Sequence, residues 1–354
     1  MSNKKIRVAI IGIGKIATRA HIPAYISNKH VDSIALVDID KRKVERAGKK
    51  FGIKKCFSSV NELFEKQDVD AMSICTPPNT HAEIALKAFG YGVHVLCEKP
   101  LATTVNDGKR MFEASQKKEK ILMVGFNLRF RPNYQKAKNL IVRGRLGHVY
   151  YVEGNYLTPN PLLTWGKSQW FFRPEAGGGV LIDQGPHVFD LINYVLGDFP
   201  YAVSAHGSTY LDSPVEDFCV CVLEYPRGRT GIGVMSWLSP EGIEYLSIQG
   251  TAQSLFVSPN LFLEVNPTDI TEVSLWRRAS ESLISLKFPN FPLLHDKKVN
   301  TYQLEINHFI QQIMEDQKSS QSALNGLNVL IACEAAKKSL ERKKRIVFSS
   351  LKKV

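Results

Sequence analysis

An acid and an imidazole stand four residues apart in this sequence, close behind a run of glycines. Asp183 and His187 follow residues 177–179, which are all glycine. Positions i and i+4 of a helix share one face, so these two side chains would lie together. A carboxylate beside an imidazole suits proton transfer near neutral pH. The alternatives are a capping aspartate and a core histidine. A metal site is not expected, because no third ligand stands nearby.

The segment that carries this pair is predicted to be a helix over Val180–Leu196, with a proline inside it. Pro186 directly precedes His187. Proline lacks the backbone N–H that a helix interior needs, and it is tolerated in the first turn. The helix is therefore expected to begin late in the segment.

A lysine follows another predicted strand. Lys99 lies between Glu98 and Pro100, just after the apolar run His94–Cys97. Ligands of open parallel sheets bind at the carboxyl ends of the strands. An ammonium group there could hydrogen-bond a substrate hydroxyl and stabilise a developing alkoxide. The alternative is a surface lysine that precedes a helix.

A glycine-rich loop follows the first strand-like run, Ile6–Ile11. Gly12 permits a tight turn, Gly14 leaves room for a pyrophosphate, and Ala17 lets the next helix pack close to the sheet. The N-terminus of that helix would offer free N–H groups to the phosphates. Its place between a strand and a helix makes the loop a predicted dinucleotide site. The loop residues expected to contact the cofactor are Gly12, Ile13, Gly14, Lys15 and Ile16.

Two acids end the second strand-like run. A carboxylate at Asp38 would accept hydrogen bonds from the adenosine ribose hydroxyls and repel a 2′-phosphate, which favours NAD over NADP. Asp40 could share this role, or it could cap the helix that begins near Lys41. After a third strand, the proline-stiffened loop 75–81 lies at the same edge of the sheet. Its expected cofactor contacts are Thr76, Pro77, Asn79 and His81.

These residues lie at the ends of alternating strand-like and helix-like segments. Buried parallel strands read as near-continuous apolar runs, and such runs alternate with helical stretches up to residue 125. Right-handed connections then give a doubly wound parallel sheet, the α/β Rossmann fold. Beyond a helix near residues 132–143, successive strand-like runs favour a large open, mostly antiparallel sheet. We predict a Rossmann domain over residues 1–125 and an α+β domain over residues 126–354.

The composition is that of an ordinary globular protein. The 354 residues are 44% hydrophobic and 23% charged. No apolar run reaches the roughly 18–20 residues that cross a membrane, and no signal peptide is present, so we expect a cytoplasmic protein. The formal net charge of +12 lies largely in short solvated clusters. Because no nucleic-acid-binding motif accompanies it, neither a nucleic acid nor a membrane is an expected partner.

Together and in this order, the motifs resemble the glucose-fructose oxidoreductase, inositol dehydrogenase and rhizopine catabolism (Gfo/Idh/MocA) family. The resemblance runs over essentially the whole chain. It includes Gly125-Phe126-Asn127 with Arg129 and Arg131, and the closing helix from Thr301. It implies transfer of a hydride between NAD and a secondary alcohol or ketone of a sugar, cyclitol or nucleotide sugar. The second domain of this family often mediates oligomer contacts through its open sheet, which implies a homo-oligomer, a dimer or a tetramer.

The resemblance also implies roles for individual residues. Lys99, Asp183 and His187 correspond to the catalytic set of the family. The nucleotide contacts that it implies are Gly12, Gly14, Asp38, Thr76, Asn79, His81, Glu98 and Asn127.

The substrate pocket is expected to include residues just before the glycine-led helix. Aromatic faces suit the C–H surfaces of sugars, and an arginine suits a carboxylate or phosphate. The alternative is that half of these residues belong to the core. The candidates are Tyr156, Trp165, Trp170, Phe171, Phe172 and Arg173. Two other functions stay open, an enzyme that recycles a tightly held cofactor and a non-catalytic NAD-sensing regulator.

Overall fold

The first of two sheets contains the predicted parallel strands. The computed structural model describes residues 5–161, 172–173, 178–211, 213–265, 299–317 and 321–351. Six parallel strands run in the order β3-β2-β1-β4-β5-β6. The order changes direction between β1 and β4, and a crevice at such a switch point binds ligands in doubly wound sheets. The strands are β1 Ile6–Ile11, β2 Val31–Val37, β3 Lys55–Phe57, β4 Ala71–Ile74, β5 His94–Cys97 and β6 Leu122–Val124.

Helices connect these strands as the alternating pattern predicts. The first connection is a π-helical turn, Ala17–His21, that continues as α1. The others are α-helices. From the sequence, α2 was predicted only as a helix near Lys41 that Asp40 could cap. The helices are α1 Ile22–Ile26, α2 Lys41–Phe51, α3 Val60–Lys66, α4 His81–Gly90, α5 Val105–Lys117 and, after the sheet, α6 Pro132–Val142.

The second sheet has eight strands and is mostly antiparallel, as predicted. Its order is β13-β12-β11-β7-β10-β9-β8-β14. One pair, β7 with β10, is parallel, because the chain leaves β7 for a helix and a hairpin before it returns. The strands are β7 Val149–Leu157, β8 Ala202–Ser208, β9 Phe218–Tyr225, β10 Arg229–Ser236, β11 Ile243–Gly250, β12 Ser254–Val257, β13 Phe262–Val265 and β14 Ile346–Val347.

The helix that carries Asp183 and His187 lies on one face of this sheet. This helix, α7, spans Val180–Leu196. A Cβ atom added to Gly231 of β10 would lie 2.9 Å from Cγ2 of Ile192, and one added to Gly233 would lie 3.1 Å from Cγ1 of Val188. Glycines in β10 therefore let α7 approach the sheet closely. This close packing fixes how far Asp183 and His187 lie from the sheet.

The last two helices tie the sheets together. They are α8, Thr301–Met314, and α9, Gln321–Arg342. The apolar face of α8, which includes Ile306 and Phe309, packs into the same core as Ile10 of the first sheet. The chain thus returns to the N-terminal sheet after building the second one. The boundary near residue 125 therefore separates the strands of the two sheets, but α8, which lies beyond it, packs on the first sheet. Within the described residues, no helix combines the length and apolarity needed to span a bilayer.

Candidate active site

The glycine loop and Asp38 are held together at the switch point. The backbone N–H of Ile13 donates to Oδ2 of Asp38 at 2.7 Å, and the N–H of Asp40 donates to Oδ1 at 2.9 Å. Gly12 has φ +88°, and a Cβ there would lie 2.9 Å from the Cys75 carbonyl. An added Cβ at Gly14 would meet nothing within 4 Å, so its surface is open. The loop leaves the space that a pyrophosphate needs.

Asp40 has the capping role that the sequence left open. Its side chain accepts hydrogen bonds from the backbone N–H groups of Arg42 and Lys43 at the start of α2. Such a cap satisfies donors that the first turn of a helix cannot pair internally. The two acids therefore differ in their contacts, and Asp38 is the one directed at the glycine loop.

The loop after β4 is fixed by a buried histidine. His81 is fully buried, with Nδ1 3.0 Å from the Pro100 carbonyl and Nε2 2.8 Å from the Thr76 carbonyl. Its imidazole therefore links this loop to the one that carries Lys99, and neither ring nitrogen points at solvent. Pro77 and Asn79 are exposed. Contact of Thr76, Pro77, Asn79 and His81 with a cofactor stays a prediction.

Glu98 belongs to a hydrogen-bonded chain that runs into the first sheet. Its Oε1 lies 2.8 Å from Nε2 of His21, and Nδ1 of that imidazole lies 3.2 Å from Oγ of Ser73. The hydroxyl of Tyr25 is 2.6 Å from the same Oγ. The chain fixes the orientation of the Glu98 carboxylate next to Lys99. Asn127 lies on another loop, where its Nδ2 donates to Oγ1 of Thr301 at 3.1 Å.

Lys99 and Asp183 meet between the two sheets. Nζ of Lys99 donates to Oδ1 of Asp183 at 3.0 Å and to its backbone carbonyl at 2.7 Å. Both side chains are mostly buried, 16% and 15% exposed, which makes this a partly desolvated ion pair rather than a surface one. The pair holds the ammonium group in one position where the carboxyl end of β5 meets α7. This junction of the β5 end with α7 is called the cleft.

His187 lies one helical turn further along α7. Its side chain is buried against the ring of Tyr156, at 5.4 Å between centroids. Burial lowers its pKa well below 6.5, and the charges of Lys99 and Arg131 lower it further. The imidazole is therefore neutral at neutral pH, and the carboxylate of Asp183 binds Lys99 rather than His187 directly.

A long-range contact sets the start of α7. Oε1 of Glu216, between β8 and β9, accepts the N–H of Leu181 at 3.0 Å, and its backbone carbonyl accepts that of Val180 at 2.9 Å. The expectation that the helix begins late is wrong: it begins at Val180, with Pro186 in its interior. The proline leaves one carbonyl of the helix without its usual partner.

Two family models match this chain. The model described as an oxidoreductase family with an NAD-binding Rossmann fold matches residues 6–126, and the GFO/IDH/MocA C-terminal domain model matches residues 134–256. Together they cover more than half of the chain. The chain belongs to the Gfo/Idh/MocA family.

Relatives within this family span several substrates. The chain is 28% identical over 350 residues to a myo-inositol 2-dehydrogenase of Thermotoga maritima, with 96% of this chain and 98% of the relative covered. Among solved structures, a levoglucosan dehydrogenase in complex with NADH and levoglucosan gives a TM-score of 0.84 at 24% identity, with 98% and 100% of the chains covered. The WlbA dehydrogenase of Bordetella pertussis, in complex with NADH and UDP-GlcNAcA, gives 0.83 at 23%, with 99% of both covered. The two structural matches share the fold of this Gfo/Idh/MocA protein.

Some predicted pocket residues cannot be placed. Trp165, Trp170 and Phe171 lie outside the described residues. Phe172 packs against Trp237 with ring centroids 5.5 Å apart, which is a core contact. Arg173 is exposed, and Tyr156 touches His187. Of the predicted pocket candidates that the structure describes, Tyr156 is the one in contact with a predicted catalytic residue.

Glu305, a buried acid behind the site, was not predicted from the sequence. Its side chain is fully buried in α8, and both carboxyl oxygens lack a hydrogen-bond partner among the described residues. Burial, and then the charges of Glu98 and Asp190, raise its pKa well above 4.5. Helical spacing gave a signal for it, because position 305 lies three residues after Tyr302 and four before Phe309 on the apolar face.

Replacing Glu305 with glutamine is expected to make stability less dependent on pH. Because the folded-state pKa is raised, the folded protein keeps a proton that the unfolded chain releases above pH 4.5, so stability falls as pH rises. The free energy of unfolding of Glu305→Gln, relative to that of the unaltered protein, should rise by up to about 1.4 kcal/mol per pH unit above pH 4.5. Denaturant unfolding from about pH 5 to about pH 8 measures it. The exposed Glu113→Gln is the control, and equal pH slopes for Glu305→Gln and unaltered protein would contradict the assignment.

Proposed function

We propose that this chain is an NAD-dependent oxidoreductase that transfers a hydride between nicotinamide and a secondary alcohol or ketone of a sugar, cyclitol or nucleotide sugar. The observation that carries the proposal is the Lys99 ammonium, held 3.0 Å from the Asp183 carboxylate at the edge of the cleft. A neutral, buried imidazole at His187 lies on the same helix. The named dehydrogenases among the relatives, with myo-inositol and levoglucosan as substrates, support the reaction class.

The residues at the switch point fit a dinucleotide. The open surface at Gly14 and the close turn at Gly12 leave room for a pyrophosphate, and Asp38 faces the loop beside them. When bound, the nicotinamide ring accepts or returns the hydride. We assign cofactor contacts to the glycine loop, Asp38, the loop after β4 and the residues beside Lys99. They are Gly12, Ile13, Gly14, Lys15, Ile16, Asp38, Thr76, Pro77, Asn79, His81, Glu98, Lys99 and Asn127.

The side chains of the cleft divide the proton chemistry. His187 removes the hydroxyl proton as a general base, for which a neutral imidazole is required. Lys99 hydrogen-bonds the substrate oxygen and stabilises the negative charge that develops on it. Asp183 orients Lys99 through their hydrogen bond. NADH formation from NAD and a polyol, lost in Lys99→Met, is the test. A polyol panel that yields no NADH while NAD binds would contradict the proposal.

Replacing Asp38 with alanine is expected to weaken NAD binding by about 10- to 100-fold. This is the range for losing hydrogen bonds to a charged group, about 1.5–3 kcal/mol. NADP binding should weaken less, because the carboxylate that repels a 2′-phosphate is gone. Fluorescence titration with NADH and NADPH measures both affinities. Asp32→Ala, at an exposed position of β2, the strand that ends just before Asp38, is the control. An unaltered ratio of the two affinities would assign ribose recognition to another residue.

We also propose that the protein is a homo-oligomer, joined through the face of the second sheet opposite α7. On this face Val222 is 37% exposed, and the rings of Tyr245 and Phe256 lie 4.8 Å apart. Apolar groups on an open sheet favour contact with a second surface. Light scattering gives the oligomeric state. A cytoplasmic location stays a prediction.

A further inference from the structure

A second ion pair borders the catalytic groups. Nη2 of Arg131 donates to Oε2 of Glu244 at 2.9 Å, and the hydroxyl of Tyr134 donates to Oε1 of the same carboxylate at 2.8 Å. Glu244 lies directly opposite Tyr156 in the pairing of β11 with β7, and the Tyr156 ring touches His187. The pair is thus next to the position where the substrate hydroxyl would be activated.

Only part of the Arg131 guanidinium group is hydrogen-bonded to the described residues. Arginine has five N–H donors, yet among the described residues Arg131 makes its side-chain hydrogen bond through Nη2 alone. Its Nε is buried and has no hydrogen-bond partner in the described part of the chain, and the side chain is 29% exposed. A purely structural pair would be expected to use more of the planar fork. The exposed part of the guanidinium group can therefore donate to a ligand in the cleft, whereas the buried Nε cannot.

We propose that Arg131 and Glu244 form the polyol-recognition pair of this site, binding two neighbouring hydroxyls of an uncharged substrate beside the carbon that is oxidised. An N–H of Arg131 donates to one hydroxyl oxygen, and the Glu244 carboxylate accepts a hydrogen bond from the other hydroxyl. This inference rests on the proposed function and specifies its substrate class. Tyr134 keeps the carboxylate in place, so the pair is a fixed donor and acceptor.

The charges around the cleft favour an uncharged polyol over an anionic one. Each of the two cations is matched by its own carboxylate, Lys99 by Asp183 and Arg131 by Glu244. A carboxylate or phosphate next to the reacting carbon would be repelled by both acids, while Lys99 and Arg131 are each already paired. Repulsion of this kind discriminates between substrates. A hydroxyl, in contrast, can bind to donor and acceptor without disturbing either pair.

Arg131 has a second effect that a purely structural residue would lack. Its charge lowers the pKa of His187, after burial and the charge of Lys99. Removal of the charge should move the acid limb of the kcat/KM profile toward higher pH. Arg131→Lys keeps the charge but loses the planar fork. It should therefore retain the pH profile and still show a raised KM for the polyol.

The experiment compares Arg131→Met, Arg131→Lys and Glu244→Gln with Arg143→Met, an exposed arginine just after α6. Steady-state kinetics are measured with a neutral polyol and with its uronic acid counterpart. We expect KM for the polyol to rise by about 10- to 100-fold in both arginine variants, the range for lost hydrogen bonds to a charged group. We expect kcat to stay within about fivefold and NADH affinity to be unchanged. Glu244→Gln should improve the kcat/KM of the uronic acid relative to the polyol.

The outcomes separate this inference from the proposed function. No turnover of any alcohol by the unaltered protein, with NADH still bound, would overturn both. Turnover in the unaltered protein with an unchanged KM in Arg131→Met would overturn the inference alone. A loss of NADH affinity that parallels the loss of activity indicates instead that Arg131→Met has damaged the fold. If Arg131→Met does not fold, the selectivity of Glu244→Gln decides: no shift between the two substrates overturns the pair.

Discussion

Replacing Lys99 with methionine is expected to lower kcat by about 10²–10⁴-fold, the usual contribution of a group that stabilises or transfers charge at the reacting atoms. The ammonium group is fixed by two contacts with Asp183 and lies at the edge of the cleft. Methionine keeps most of the length and apolar stem of lysine, so packing changes little. NADH affinity should fall by less than about tenfold, because lost transition-state contacts reduce kcat rather than binding. Single-turnover kinetics with a saturating alcohol measures the loss.

The control for this substitution is Lys117→Met, at an exposed position on α5. It should leave kcat and NADH affinity unchanged. Lys99→Met also leaves Asp183 without its cation, so a melting curve must show that the variant is folded. A folded Lys99→Met protein that turns over at the unaltered rate would exclude Lys99 from the chemistry.

Replacing His187 with glutamine should lower kcat/KM by about 10²–10⁴-fold, because the general base is lost. The unaltered protein should keep its activity as pH falls to 6.5, the ordinary imidazole value, because burial and two nearby cations lower the pKa of His187 well below it. Because its pKa is lowered, His187 becomes protonated, and so stops acting as a base, only at more acidic pH. The acid limb of the profile should therefore lie below pH 6.5.

His206→Gln, at an exposed position on β8, is the matched control and should leave the profile unchanged. The same lowered pKa has a consequence for stability. The unfolded chain binds a proton below about pH 6.5 that the folded protein does not, so His187 makes the protein less stable as pH falls through that range. An acid limb at or above the ordinary imidazole value would contradict the buried, neutral base.

Much of the fold was predictable because its signals are local. Buried parallel strands require apolar runs, and β1 and β5 have the bounds that the sequence predicts. The range Val180–Leu196 for α7 was also predicted, but the separate expectation from Pro186 that this helix begins late is wrong. Its first turn is held by Glu216, which is 35 residues from Leu181 along the chain, and no local pattern indicates such a contact.

The chemistry of the site depends on longer-range contacts. Lys99 and Asp183 are 84 positions apart, and Arg131 and Glu244 are 113 apart. The sequence indicated that Lys99 and Asp183 could be reactive, but it gave no reason to pair Asp183 with Lys99 instead of His187. Arg131 was noticed only as part of a motif, because its pairing with Glu244 of β11 exists only once the second sheet has folded against the segment before α6.

Deuterium transfer tests the central claim most directly. The protein is incubated with NAD and a panel of sugars and cyclitols that carry deuterium at their secondary carbinol carbons, and the NADH formed is analysed by NMR. The account predicts that at least one member yields NADH with deuterium at C4 of the nicotinamide, and that Lys99→Met yields none. Consumption of a substrate without deuterium in the nicotinamide, or no reaction across the panel while NAD is bound, would contradict it.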